Sequence, residues 1–347
     1  MRVLDDRDGA LTAAMWDRLV AADPNGHLLQ SWAWGELKAE FGWRPVRLAV
    51  ERDGALAAGA QVLYRRLGPL TLGYIPRGPA LASGDPADLE PLWGAIHHAS
   101  RRLRAIALKV EPEWRDDDAA SHARLLAAGM HPGTETIQPR RTIIVDLAAD
   151  EEAILARMKP KWRYNVRLAG RKGVVVREGG SEHLSTYYGL MQTTGMRDAF
   201  AIHSQAYYRR GLDLFAPAGR ACLFMAYHQE TPLAGLIAFR FGRTAVYMYG
   251  ASSDEQRELM PNHALQWRAM QWAKEGGCTR YDLWGITDTD QDPDSAALSG
   301  VERFKAGFGG DVVRYVGAYD TVYHPLLYRG MQALWARRRQ LGAGGGG

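Results

Sequence analysis

Apolar residues alternate with polar or small ones in two segments that lie far apart in the chain. Residues 48–64 predict a strand, a turn at Asp53-Gly54 and a second strand, and residues 224–239 repeat this order. Alternation with a period of two, interrupted by turn residues, is typical of antiparallel strands. Each segment therefore predicts a β-hairpin.

The similarity between the two segments extends further along the chain. Gly59 aligns with Gly235, 176 positions later, and Tyr74 in a third apolar segment aligns with Tyr249, 175 positions later. A helical pattern and a fourth apolar strand follow in each half: residues 88–104 and 105–110, then 262–275 and 281–284. A nearly constant offset over four elements indicates an internal duplication.

A hairpin, a third strand, a helix and a fourth strand form the core order of the GNAT acyltransferase fold. The sequence therefore predicts an α/β protein with mixed sheets, made of two tandem GNAT-like domains. We expect an N-terminal domain at residues 1–148, a C-terminal domain at 149–340 and a disordered, Gly-rich tail at 341–347. Residues 150–158 and 160–172 predict two consecutive helices, with Pro160 at the start of the second.

Composition adds a mild basic character. The 347 residues have a formal net charge of +4, which suits an anionic substrate such as a nucleotide or tRNA. The apolar stretches are too short to span a bilayer and the first residues lack the apolar core of a signal peptide, so we expect a cytoplasmic protein. Cys222 and Cys278 suit buried positions in a reducing compartment.

Neither a metal nor coenzyme A is expected. Aspartates at alternate positions of 288–294 resemble a calcium loop. However, Pro293 stands where that loop needs glycine, and Ser299 stands where it needs a bidentate glutamate. We therefore predict a mobile acidic loop that borders the site and binds no metal. A coenzyme A loop donates backbone N–H groups to the pyrophosphate ahead of a helix. Residues 74–80 and 249–262 lack its glycine spacing, and Pro76 and Pro79 have no N–H to donate.

A series of motifs resembles the FemABX family of non-ribosomal peptidyltransferases. They span about residues 30–320, in family order: Ser31–Lys38, Tyr74–Pro79, Lys161–Arg167, Arg197–Phe200, Tyr247–Ser252, Tyr281–Ile286 and Gly300–Gly310. No long heptad segment is present, so the chain is similar to the short FemX-like members without a coiled-coil arm.

The resemblance implies a tRNA-dependent aminoacyltransferase, of EC class 2.3.2, that builds the interpeptide bridge of peptidoglycan. Such an enzyme moves glycine, alanine or serine from aminoacyl-tRNA to the stem-peptide amine of UDP-MurNAc-pentapeptide or lipid II, without a cofactor. Attack of the amine on the ester creates a tetrahedral oxyanion, which a fixed cation stabilises. We expect a monomer, with the precursor bound mainly by the N-terminal domain and the aminoacyl-tRNA by the C-terminal domain.

The same resemblance assigns catalytic residues. Lys305 faces the reacting ester, and the carbonyl of Phe304 contacts the amine. Glu111, at the end of a strand, is a candidate general base, with a structural hydrogen-bonding role as the alternative.

Further positions are assigned to substrate binding. His203 stands where the FemX pattern has a phosphate-binding arginine, a role that protonated His203 or Arg197 would take over. The substrate-binding candidates are Lys38, Tyr74, Arg77, Arg197, His203, Tyr207 and Tyr249. Lys38 would contact precursor phosphates. Arg163, Arg167 and Arg171 share one helix face and would bind tRNA, unless they form an ordinary solvated face.

Other functions stay open at this point. An acyl-CoA-dependent N-acyltransferase would use the same fold, and a non-catalytic tRNA- or precursor-binding protein would need no active lysine. The C-terminal helix predicted at residues 325–339 packs on the domain or, with Tyr328, Leu334, Trp335 and arginines 337–339, contacts the inner membrane leaflet.

Overall fold

The computed structural model describes residues 1–198, 200–289 and 300–343. The chain forms two compact units, of which the first comprises Met1–Gln138 and the segment from Val316 onward, and the second Pro139–Tyr315. This division differs from the expected boundary at 148/149. The strand at Arg141–Asp146 pairs within the sheet of the second unit, and the segment after Tyr315 returns to the first.

The N-terminal part of the first unit alternates between strands and helices. Its elements are β1 (Arg2–Asp5), α1 (Ala13–Ala22), α2 (Trp32–Glu40), β2 (Trp43–Arg52), β3 (Ala55–Leu67), β4 (Leu70–Pro76), β5 (Ala80–Leu81), α3 (Leu89–Arg102), β6 (Ala105–Glu111), α4 (Ala119–Ala127) and β7 (His131–Pro132).

The second unit follows without interruption along the chain. Its elements are β8 (Arg141–Asp146), α5 (Glu151–Arg157), α6 (Pro160–Arg171), β9 (Val175–Gly179), α7 (Leu184–Arg197), α8 (Gln205–Phe215), β10 (Ala221–His228), β11 (Thr231–Phe241), β12 (Thr244–Ser252), α9 (Pro261–Glu275), β13 (Arg280–Ile286), α10 (Gly300–Ala306) and β14 (Asp311–Arg314).

The last segment completes the first unit with β15 (Tyr319–Val322) and α11 (Pro325–Ala343). Strand β15 lies between β6 and β7, so the first sheet has the order β1-β2-β3-β4-β6-β15-β7, with β5 paired to β3. The second sheet has the order β14-β8-β13-β12-β11-β10-β9. In each unit the third strand of the predicted series pairs in parallel with the fourth, β4 with β6 and β12 with β13.

The predicted duplication and fold class are confirmed by these sheets. Both hairpins form, β2–β3 and β10–β11, and the two central turn residues of each have positive φ: 55° and 80° at Asp53 and Gly54, and 47° and 65° at Gln229 and Glu230. The described helices of the second unit are at most 15 residues long, so this part of the chain contains no long coiled-coil arm.

The aligned glycines have the same packing role in the two units. A Cβ on Gly59 would lie 2.6 Å from the Leu19 side chain of α1, and one on Gly235 would lie 2.8 Å from the Tyr187 ring of α7. Both separations are too short for carbon atoms. Glycine therefore lets a helix approach the second strand of each hairpin.

Each unit has its own apolar core. In the first, Leu92, Trp93 and Ile96 of α3 pack with apolar side chains of β2, β3 and β6. In the second, α9 residues such as Leu265 and Met270 pack with apolar side chains of β10, β11 and β13. Cys222 and Cys278 belong to the second core as buried free thiols, as expected from the sequence.

Two expectations concern segments near the limits of the described chain. Helix α11 extends to Ala343, so residues 341–343 are helical where a disordered tail was predicted, and residues 344–347 lie outside the described residues. Residues 290–294 of the acidic loop predicted at 288–294 also lie outside them. None of the helices in the described part of the chain has the length and apolar character needed to cross a membrane.

Candidate active site

Lys305 is buried near the end of α10, with 7% of its surface exposed. Its Nζ donates to the carbonyl oxygen of Gly285 at 2.7 Å and lies 3.4 Å from that of Trp284. The ammonium also lies 5.7 Å from the centre of the Tyr247 ring. A buried lysine held by carbonyl oxygens has a fixed position, unlike the solvated lysine of an ordinary helix surface.

The carbonyl groups reach Lys305 because strand β13 is irregular beside it. The pairing of β13 with β8 shifts register between Asp282 and Gly285, and Trp284 has a φ of 61°. The backbone N–H of Trp284 donates to the Asp282 carboxylate at 2.7 Å, and the Thr142 hydroxyl donates to the same oxygen. Such bulges redirect backbone and side-chain groups, often beside active sites.

Burial and neighbouring charges act in opposite directions on the pKa of Lys305. Burial lowers the pKa of its ammonium to about 8, while the negative charges of Asp282 and Glu302 act to raise it. Glu302 is itself 1% exposed, and its carboxylate lies 4.0 Å from the Arg141 guanidinium. A pKa near 8 leaves most of the lysine protonated at pH 7 while keeping it close to titration.

Phe304 and its surroundings fix the helix that carries Lys305. The Phe304 carbonyl accepts a hydrogen bond from Trp162 Nε1 at 2.8 Å. Gly307 makes room for this indole, since a Cβ there would lie 2.0 Å from Trp162 Cε2. The Phe304 oxygen thus has one side-chain donor among the described residues, and its second lone pair can accept from a further donor.

His263 on α9 belongs to the same cluster and was not predicted from the sequence. Its ring packs edge-on against Phe304, with 5.1 Å between centroids, and its Nε2 accepts from Asn165 Nδ2 at 3.2 Å. Burial lowers the pKa of His263 to about 4, so the ring is neutral at pH 7. Trp162 and Asn165 lie in the Lys161–Arg167 motif, of which only the arginines were predicted to be site residues.

Three predicted residues lie together: His203 just before α8, Tyr207 on α8 and Tyr249 on β12. The His203 ring stacks on Tyr207, with 4.0 Å between centroids and 21° between planes, and stands edge-on to Tyr249 at 5.8 Å. The Tyr207 and Tyr249 side chains are hydrogen-bonded, and burial raises the pKa of Tyr207 to about 12. Exposed His203 therefore covers buried Tyr207 and half-buried Tyr249, a surface suited to stacking with a flat ring.

Arg197 is held by carboxylates. Its guanidinium pairs with Asp198 at 2.9 Å and with Asp254 at 2.8 Å, and it lies 3.3 Å from the Ser252 carbonyl oxygen. These contacts raise its pKa above the usual value, chiefly through the hydrogen bond with Asp198. Two carboxylates compensate its charge, which makes His203 the better of the two candidates for a phosphate.

In the first unit, Lys38 lies on α2 with its Nζ 5.0 Å from the centre of the Trp34 ring. Burial, together with the positive charge of Arg65, lowers the pKa of Lys38 to about 8. The guanidinium of Arg65 lies 5.3 Å from the Trp43 ring, which is 6.3 Å from Tyr74. Two interacting cations beside an indole suit a phosphate group with an attached ring.

Glu111, Tyr74 and Arg77 face the interior of the first unit. The Glu111 carboxylate accepts from the Tyr74 hydroxyl, from the Ile137 N–H at 2.5 Å and from the Gln138 N–H at 3.0 Å. Burial raises the pKa of Glu111, and these hydrogen bonds act against that rise. Arg77 is 3% exposed, with its Nε 3.1 Å from the Glu113 carboxylate.

This arrangement fits the structural alternative for Glu111 better than the general base. Its carboxylate fixes the backbone of residues 137–138, where the chain leaves the first unit. Tyr74 and Arg77, expected to bind substrate, have internal acidic partners that sequence spacing did not show.

The three arginines of α6 line one surface groove. Together with Pro160 and Tyr164, they border a cavity of about 350 Å³. Tyr164 is 54% exposed, and the Arg171 guanidinium lies 5.3 Å from its ring centre. A groove with three cations and an exposed aromatic ring is typical of surfaces that contact a nucleic-acid backbone and its unstacked bases.

Comparison with known families identifies the chain. The model of the FemAB family matches residues 11–229 and 223–335, which is nearly the whole sequence. The chain belongs to the FemAB family. The resemblance noted from its motifs is therefore confirmed.

Relatives of this FemAB-family chain include lipid II:glycine glycyltransferases. That of Staphylococcus saprophyticus is 30% identical over 390 aligned positions, covering 92% of this chain and 94% of the relative. That of Staphylococcus aureus strain MRSA252 is 29% identical, covering 90% and 92%. Both alignments are longer than 347 residues, so the relatives carry insertions that this chain lacks.

Solved structures confirm the fold of this FemAB-family chain. The crystal structure of FemX matches with a TM-score of 0.85 and 27% identity, over 95% of this chain and 99% of FemX. A tandem GNAT protein from the clavulanic acid biosynthesis pathway matches with a TM-score of 0.57 and 13% identity, over 92% and 98%. The second likeness concerns the fold alone, two GNAT-like units in tandem.

Proposed function

We propose that the chain is an aminoacyltransferase that builds the interpeptide bridge of peptidoglycan. It transfers glycine, alanine or serine from aminoacyl-tRNA to the stem-peptide amine of lipid II or UDP-MurNAc-pentapeptide. The observation that carries this proposal is the buried, carbonyl-bound ammonium of Lys305. The similarity to lipid II:glycine glycyltransferases over almost the whole chain supports the substrate class.

The reaction uses the neutral amine as nucleophile. Its lone pair forms a bond to the ester carbon, and the carbonyl electron pair moves onto oxygen. Lys305 has three N–H donors, and two of them are directed at the carbonyls of Gly285 and Trp284. The third has no hydrogen-bond partner among the described residues and would donate to this oxyanion. When the intermediate collapses, the ribose oxygen of the tRNA leaves and takes up the proton that the amine loses.

Three surfaces, each within a single unit, are candidates for substrate contact. Lys38, close to Arg65 and Trp43, would hold precursor phosphates in the first unit. The stacked His203–Tyr207 pair would contact a ring or phosphate of the precursor in the second. The α6 groove would bind the tRNA backbone. Such a tRNA-dependent enzyme works in the cytoplasm, as a monomer, without metal or organic cofactor.

Mass spectrometry of reaction products tests the proposal directly. The protein is incubated with tRNA charged with glycine, alanine or serine and with either UDP-MurNAc-pentapeptide or lipid II. We expect the mass of one acceptor to increase by one amino-acid residue, and Lys305→Ala to abolish the increase. Acceptor binding without any product would support the non-catalytic alternative, and modification by an acyl-CoA instead would overturn the donor assignment.

A further inference from the structure

An apolar groove opens on the surface of the first unit between α11 and one end of its sheet. Its lining residues are Leu67, Ile106, Leu326, Leu327, Gly330, Met331 and Leu334, and its volume is about 440 Å³. Leu326 is 83% exposed, Leu334 61% and Leu327 48%. Gly330 adds no side chain to close the groove. Large aliphatic side chains clustered at such exposure indicate a binding surface.

The chain around this groove is basic. Three segments supply its lining: residues 64–72 at the β3–β4 turn, 100–107 at the start of β6, and 323–334 in α11. They contain no aspartate or glutamate and six arginines, all of them exposed: Arg65, Arg66, Arg101, Arg102, Arg104 and Arg329. We call the groove and these arginines, except Arg65 beside Lys38, the α11 surface.

The segments converge through backbone pairing. Leu67 pairs with Leu70 across the β3–β4 turn, and Thr71 pairs with Ala105. The N–H groups of Tyr323 and His324 both donate to the Ile106 carbonyl, at 2.9 and 3.1 Å. These contacts place the first turn of α11 beside the arginine-rich end of the sheet.

We propose that the α11 surface docks the protein onto an anionic lipid bilayer. The exposed leucines enter the boundary between headgroups and acyl chains, and the arginines contact lipid phosphates. A nucleic acid would use the arginines but gain little from an aliphatic groove, whereas an uncharged apolar partner would gain little from five arginines. Anionic lipid matches both features.

Vesicle sedimentation tests the docking without any substrate, so its failure is distinguishable from failure of the proposed function. We expect the full chain to bind vesicles of phosphatidylcholine with 30% phosphatidylglycerol, and to bind pure phosphatidylcholine vesicles at least about tenfold more weakly. Raising the salt concentration should reduce binding without abolishing it, because the apolar contribution is not screened.

Two double variants separate the contributions, and each changes exposed positions only. Leu326→Ser/Leu327→Ser and Arg102→Glu/Arg329→Glu should each lower the partition coefficient about tenfold, with unchanged circular dichroism. The matched controls are Leu126→Ser, a 52% exposed leucine on α4, and Arg2→Glu on β1, which should bind normally.

Three results would overturn the proposal. One is absence of binding to the anionic vesicles at low salt. Another is binding of the leucine variant to anionic vesicles as strongly as the wild type, because the binding would then come only from non-specific charge attraction. The third is a wild-type protein that does not bind vesicles but uses the α11 surface for another partner. That partner would be a second copy if the leucine variant converts a dimer to a monomer, or tRNA if the arginine variant abolishes tRNA binding.

Discussion

At the scale of single residues, Lys305 combines burial with charge. Its ammonium donates to two carbonyls and is attracted by two nearby carboxylates. These interactions offset only part of the cost of losing water, since the pKa is still lowered to about 8. The amine and the ester are neutral before attack, whereas the tetrahedral intermediate carries a negative oxygen. In the proposed reaction, the interaction with Lys305 is therefore strongest in the transition state.

Replacing Lys305 should lower turnover and leave substrate binding almost unchanged. Loss of one oxyanion donor reduces the rate about 10²–10³-fold, and a transition-state interaction appears in kcat rather than in KM. Steady-state kinetics of Lys305→Ala measure this. Lys305→Arg should recover only part of the rate, because its planar group places the charge elsewhere. Near-normal kcat in Lys305→Ala would transfer the oxyanion role to backbone N–H groups.

The pH profile should show the titration of Lys305. With its pKa lowered to about 8 by burial, the ammonium is present below pH 8 and is lost above it, so kcat should fall as the pH rises through 8. In Lys305→Arg this decline should move to higher pH, since a guanidinium stays charged. Between about pH 8 and 10.4 the unfolded state binds more protons at this residue than the folded state does. Its titration therefore raises the free energy of unfolding as the pH rises, so a loss of activity in this range cannot result from unfolding caused by Lys305.

Lys38 should contribute to precursor affinity rather than to rate. Lys38→Ala removes a charge-assisted contact with phosphate, which is worth about 1.5–3 kcal/mol. Calorimetry with UDP-MurNAc-pentapeptide should show the loss, and wild-type affinity should weaken above pH 8, where Lys38 becomes neutral. Lys38→Arg keeps its charge and should show no such pH dependence. Equal affinity in the alanine variant would place the phosphate elsewhere.

At the scale of elements, α6 has two separate faces. Trp162 and Asn165 contact Phe304 and His263, while Arg163, Arg167 and Arg171 line the outer groove. One helix thus supports the lysine-bearing segment and presents the basic groove. Variants on the two faces should consequently affect different kinetic parameters.

Charge reversal on the outer face should weaken the interaction with aminoacyl-tRNA. Arg167→Glu/Arg171→Glu should raise KM for the charged tRNA and lower the slope of log affinity against log salt by about 2. Turnover at saturation should change little. Arg177→Glu on β9, an exposed site outside the groove, is the control. An unchanged KM would indicate that the arginines form a solvated helix face.

Several elements could be predicted from local patterns alone. The hairpins, α3, α5, α6, α9 and α11 have clear periodicity or a starting proline, and Asp150 caps α5 through the Ala153 N–H as such sequences predict. The irregularity of β13 and the four-residue β15 have no such signal, because they depend on partners more than 100 residues away. Motif resemblance located Lys305 but not the buried groups around it.

At the scale of the whole molecule, the first unit is assembled from both ends of the chain. Strand β15 pairs with β6 and β7, and Lys109 forms an ion pair with Asp320 at 2.8 Å. Strand β7 has no other partner in the described sheet. The last tenth of the sequence is therefore part of the N-terminal fold.

Truncation should reveal this dependence. A chain ending at residue 315 should lose amide-exchange protection in β6 and in the rest of the first unit, because β6 is left as a bare edge. The second unit should keep its protection. A chain ending at residue 324 retains β15 and should protect β6. Equal protection of β6 in both truncated chains would mean that β15 is dispensable.

The same connectivity sets the order in which the protein matures on the ribosome. The second unit is contiguous and can complete its sheet once about residue 315 has emerged. Residues 1–138 are made first, yet β15 arrives only after a further 184 residues, roughly 10–40 s at ordinary synthesis rates. During that interval the edge of β6 is open to pairing with other chains. The part synthesised first is the part that folds last, and it would benefit most from a chaperone.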